Sequence, residues 1–151
     1  MSLKRIMALF IKELQDMKRN WNILFIFAVG PLMAIIYRNL LDMPSAPTAV
    51  LGILMGSTMV GIYVPAMMLA EEKEKNTLRV LMVSPATPAD ILTSKGLVSL
   101  IGVLLTSAIT LVLSQASLGS PLLFLVTLMV GTAFLAIIGF IIGLLSPNQM
   151  A

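Results

Sequence analysis

The run Glu71-Glu72-Lys73-Glu74-Lys75 is the densest group of ionisable side chains in the sequence. Grouped carboxylates are where a hard cation or acid–base chemistry would be sought. Here the acids alternate with lysines, which is the habit of a solvated helix end rather than of a cation site. The chain has no cysteine and no histidine. Thiolate nucleophiles, disulfides, soft-metal ligation and the usual general base are thereby removed. Ser57 and Ser107 have no activating partner, so a hydrolase site is not expected. No glycine-rich phosphate loop is present, so ATP chemistry is not expected in this chain. No ionisable residue lies near the centre of a long apolar stretch, where it would mark chemistry at depth.

The elements carrying these residues are unusually apolar. Hydrophobic residues make up 58% of the 151-residue chain and charged residues 11%, whereas a soluble domain carries roughly a quarter charged residues. The stretches 49–69, 97–113 and 121–145 have no polar face, which a water-soluble helical bundle would require. The expected fold is therefore all-α and polytopic, with four membrane-spanning helices at about 22–41, 49–70, 96–116 and 121–145. Residues 1–20 precede this transmembrane domain, and the loop 71–95 interrupts it.

Residues 3–19 have a helical period, with Leu3, Met7, Phe10, Leu14 and Met17 on one stripe and Lys12, Glu13, Asp16 and Arg19 opposite. Such a helix suits a membrane interface. The net charge of +3 could suggest nucleic acid, but the basic residues sit at the ends of apolar spans without interleaved aromatics, so no nucleic-acid partner is expected. Nine basic residues lie before the first span or between the second and third, against Arg38 alone on the other side. That asymmetry places the N-terminus and the loop 71–95 in the cytoplasm.

Local signals add detail. Arg38 and Asp42 are spaced to pair near the end of the first span. Gly52, Gly56 and Gly61 give the second span a small face, and Gly139 and Gly143 repeat the spacing that lets helices approach closely. Pro65 predicts a kink or a weakened last turn. Thr87, Pro88 and Asp90 form a capping-box pattern that opens the next helix. Residues 146–151 carry no basic anchor and read as a turn leading onward, as in the N-terminal portion of a longer polypeptide.

The charged loop predicts a helix from near Ala70 to just before Pro85, with Leu78, Leu81 and Met82 on its apolar side and in need of something to pack on. The run Ala70 to Leu78, then Leu81-Met82-Val83-Ser84-Pro85, and then Asp90-Ile91-Leu92 with Lys95, resembles the first cytoplasmic loop of ABC transporter permeases of the type-two exporter family. Asn76 stands where those permeases usually have glycine, a departure read as minor at a helix surface. The N-terminal helix and the Ser146–Gln149 turn fit the same resemblance.

The resemblance implies the first four of six membrane helices of an exporter permease. It implies two cytoplasmic ABC ATPase subunits as partners, a second permease subunit or half, and surrounding membrane lipid, with ATP and Mg bound by the ATPase and no cofactor in this chain. Glu71, Glu72, Glu74, Thr77, Leu78 and Leu81 would form the coupling helix that meets the ATPase. Phe10, Lys12, Glu13 and Arg19 would belong to an elbow helix beside it. The competing expectation is a non-transporting membrane scaffold that binds a cytoplasmic partner through the same loop.

Overall fold

The computed structural model describes residues 3–83, 85–117 and 119–146, and among these there is no strand. α1 (Leu3–Arg19) is separated by Asn20 alone from α2 (Trp21–Asn39). α3 (Ser45–Thr58), a π-helical segment (Met59–Tyr63) and α4 (Val64–Glu74) run on as one long rod. The short α5 (Thr77–Val83) leads to α6 (Pro88–Ser114) and α7 (Pro121–Leu145).

Among the described residues, four helical stretches are long and apolar enough to cross a membrane: Trp21–Asn39, Ser45–Glu74, Pro88–Ser114 and Pro121–Leu145. The second and third exceed the expected spans, because their polar ends stay helical beyond the hydrocarbon. At about 1.5 Å per residue, a rod of 30 residues is longer than the roughly 30 Å apolar layer. Large apolar side chains such as Phe25, Leu105, Ile109, Val130 and Phe134 point outward from the bundle. Contiguous outward apolar surface on this scale belongs in lipid.

The helix starts follow local chemistry. Asn20 caps α2, its side-chain oxygen accepting from the Asn22 and Ile23 amides at 3.1 and 3.5 Å. The capping box at α6 forms as expected: the Asp90 amide donates to Thr87 Oγ1 at 3.2 Å, and the Thr87 amide donates to Asp90 Oδ2 at 3.1 Å. Ser120 caps α7 with Pro121 at the first helical position.

Pro65 neither ends nor weakens the second span. Lacking an N–H, it cannot serve the carbonyls of Gly61 or Val60 behind it. The chain answers with the π-helical segment, and the buried Ser99 hydroxyl of α6 donates to the Val60 carbonyl at 3.2 Å. A neighbour's hydroxyl is the means by which a proline is tolerated inside a membrane helix.

Close helix packing runs through the glycines. A Cβ on Gly30 would lie 3.0 Å from the Gly52 carbonyl oxygen and 3.0 Å from the Gly56 Cα, so α2 and α3 touch backbone to backbone. Gly139 and Gly143 press α7 onto the second span at Ile62, Pro65 and Ala66. Gly61 faces Leu135 of α7 rather than α2. Ile23, Ile26, Val60, Val64, Met67, Val98, Val103 and Leu128 form the buried core between these contacts.

Arg38 does not pair with Asp42. It reaches α6, donating to the Leu113 carbonyl at 3.3 Å and to Gln115 Oε1 at 2.6 Å. A cation at a helix C-terminus meets orphan carbonyls and the negative end of the dipole, which a surface carboxylate offers less well.

Candidate functional site

The site is an ionic cluster at the end of the bundle where α1, the end of α4 and the start of α6 meet. Glu13 comes from α1, Glu72 from α4 and Lys95 from α6. Lys95 is 0% exposed, with its ammonium 2.8 Å from Glu13 Oε1 and 3.0 Å from Glu72 Oε2. Lys12, on the half-open rim, lies 2.5 Å from Glu72 Oε1 and 3.3 Å from both Glu13 and Asp16. Burial works against the charge on Lys12. The hydrogen bond to Glu72 and the fields of Glu13, Glu72 and Asp16 outweigh that cost and hold its ammonium above the ordinary lysine range.

A buried lysine between two buried carboxylates has satisfied charge but little freedom to let go. It ties three helices that are far apart in sequence. Glu72 and Glu13, expected on faces offered to a partner, are thus turned into the chain's own interior. Phe10 likewise packs against the core, with Leu14 and Met17 beside it. Of the expected elbow residues, Arg19 is the one left exposed.

The other charges of the run are also assigned within the chain. Lys73 donates to the Leu144 and Ser146 carbonyls at 2.6 and 2.5 Å, anchoring the C-terminal end of α7. The basic anchor missing from the tail itself is supplied by α4. The rest of the expected Ser146–Gln149 turn, from Pro147 on, lies outside the described residues. Lys75 pairs with Glu71 one turn back, and that hydrogen bond and charge hold the Lys75 ammonium above its usual range.

The expected single helix from Ala70 to Pro85 is two. α4 stops at Glu74, and Asn76 adopts a left-handed backbone with φ 56°, after which α5 begins. Asn76 is therefore no surface helix residue: it occupies a position where only glycine, and next asparagine, is comfortable. Thr77 Oγ1 donates back to the Glu72 carbonyl at 3.3 Å across the break. Leu78 and Leu81 are half-buried on α5, and Val83 at its end is 85% exposed. The side chain of Met82 lies outside what is described. Changing Asn76 to glycine is expected to leave thermal stability in detergent unchanged, while Asn76→Val lowers it by about 1–2 kcal/mol.

A family model described as ABC-2 type transporter matches residues 4–151. The chain belongs to the ABC-2 type transporter family. No match was found among curated proteins or among solved structures. As an ABC-2 membrane domain it is a multi-pass transport permease and not itself the catalytic part of the transporter. In this ABC-2 chain, sequence reasoning found the loop but missed the Lys95 cluster. Lys95 follows Asp90 by five residues at the start of an apolar span, where it reads as a topogenic charge and as part of the loop pattern, not as the centre of an ionic cluster. Its signal is that the one basic residue of α6, eight residues into a helix that goes on without further charge, has to find a carboxylate or reach water.

Proposed function

We propose that this ABC-2 chain is the membrane-spanning subunit of an ATP-driven exporter. Two cytoplasmic ATPase subunits, which bind ATP and Mg, dock against α5 and the exposed part of α1. The chain pairs with a second permease subunit or half, and sits in the plasma or inner membrane with its N-terminus and the loop 71–95 in the cytoplasm. The transported substrate moves between permease halves, beside small-residue helix faces.

The observation that supports this reading is the mounting of α5. Its N-terminal end is joined through the two-residue break at Lys75-Asn76 to α4, and α4 is locked by Glu72 to α1 and α6 and by Lys73 to α7. Force on α5 therefore reaches three spans and the interfacial helix without passing through a flexible tether. Such a force shifts the bundle only through contacts that differ between its two states.

Replacing Leu78 and Leu81 together with aspartate puts unpaired charge into any apolar partner surface, which is strongly unfavourable. The double variant is expected to insert normally and to lose the co-purifying ATPase in mild detergent. Unchanged co-purification would remove α5 as the contact. Loss of the ATPase with no loss of export would instead favour a scaffold that binds a partner without transport.

A further inference from the structure

Where α1 turns into α2, a polar cavity of about 500 Å³ opens beside the end of α4, lined among others by Asp16, Arg19, Trp21, Glu71 and Lys75. Its depth in the membrane follows from its walls. Trp21 is the first residue of the first span, Glu71 lies in the last turn of the second, and Lys75 follows its end. The notch therefore lies where hydrocarbon gives way to headgroups, the level that indole rings prefer.

Its charges are balanced, with two acids and two bases. They are unequally occupied. Glu71 is held by Lys75 and by Asn20 Nδ2 at 3.2 Å. Asp16 keeps its side chain 51% exposed while touching Lys12 at 3.3 Å. Arg19 is exposed, and no hydrogen bond or ion pair holds its guanidinium among the described residues. The Trp21 side chain stands beside it in the open, 83% exposed.

We infer that this notch binds the headgroup of a zwitterionic amine phospholipid, with the phosphate on Arg19 and the amine against Asp16. A planar guanidinium matches a phosphate through paired hydrogen bonds. The half-open Asp16 carboxylate, with Glu71 behind it, supplies the opposite charge for an ammonium. An anionic headgroup would meet Arg19 but also two nearby carboxylates, so the balanced lining favours a lipid that carries both signs. The acyl chains then lie along the outward apolar side of α2, past Trp21 and Phe25.

The test is native mass spectrometry of the full chain extracted from vesicles of equal phosphatidylethanolamine and phosphatidylglycerol content. The wild-type protein is expected to retain phosphatidylethanolamine above its bulk share, and Arg19→Gln and Asp16→Asn each to return the retained lipid to the bulk ratio. Arg19→Gln removes no contact within the described chain, so an unchanged thermal melt separates lipid loss from unfolding. Equal or preferential retention of phosphatidylglycerol would overturn the proposal, leaving an ordinary basic interface. Competition by free phosphoethanolamine at the level of the lipid would overturn it in favour of a soluble ligand. Retention unchanged in both variants, with loss of a co-purifying protein, would assign the notch to that protein instead.

Discussion

Lys95→Met is expected to lower stability by about 3–5 kcal/mol, because it leaves Glu13 and Glu72 buried at 2% and 5% exposure without their central cation. Lys12 can answer only part of the loss. It already serves both glutamates and Asp16 from the rim. Methionine fills the space of the lysine stem, so the effect comes from charge and not from a void. Adding Glu13→Leu and Glu72→Leu to Lys95→Met is expected to recover much of the melting temperature, since a whole buried ionic group can be exchanged for apolar side chains of similar volume at little cost. Thermal unfolding in mild detergent checks both. A single variant that melts like the wild type would mean that Lys95 is not enclosed by the two glutamates. If the triple variant regains stability but still fails to export, the cluster serves force transmission beyond holding the fold together.

The second large effect is expected at Gly139. A Cβ there would stand 2.4 Å from the Ile62 carbonyl oxygen and 2.7 Å from Pro65 Cγ, and one at Gly143 would stand 2.6 Å from the Ala66 carbonyl oxygen. Backbone cannot yield as a side-chain tip can, so α7 has to move away from the second span. Gly139→Ala is expected to cost about 1–3 kcal/mol, and Gly139→Ala with Gly143→Ala to separate the helices outright. Gly131 on the same helix is the control. Nothing lies within 4 Å of its would-be Cβ, so Gly131→Ala should be neutral or should gain up to about 1 kcal/mol from helix propensity. The contrast between two alanines on one helix is read by melting temperature in the same detergent. Equal melts for the Gly139 and Gly131 variants would remove the backbone contact at Ile62.

What the sequence made legible were features set by local pattern. Runs of apolar residues fixed the number of spans, and Thr87-Pro88-Ala89-Asp90 fixed the start of α6, because caps and hydropathy depend on neighbours along the chain. Features that depend on a third helix were not legible. The stripe of α1 is split in space: Leu3 and Met7 are open, while Phe10, Leu14 and Met17 meet the core. Glu13, on the nominally polar side, is drawn inward by a lysine 82 residues away. The run Glu71 to Lys75 looked like one solvated set, yet its members go to α1 and α6, to α7, and to each other. Alternating charge in sequence is the same whether each charge meets water or a separate partner helix. Asn76 was misplaced for a different reason: a left-handed residue is a property of one backbone torsion, and periodicity on both sides of it continued as if the helix did.

The π-helical segment at Met59–Tyr63 changes what the second span can touch. A wider turn holds an extra residue, so every side chain beyond it is set back around the rod by about the 100° that one residue spans in an α-helix. The rod thus has two independent azimuths. The half before the wide turn aims Gly52 and Gly56 at α2, and the half after it aims Pro65 and Ala66 at α7. The Ser99 hydroxyl of α6 bonds the Val60 carbonyl inside the wide turn, so the offset between the two halves is tied to the packing of a third helix. One continuous span thereby presents two differently aimed small faces to two different neighbours.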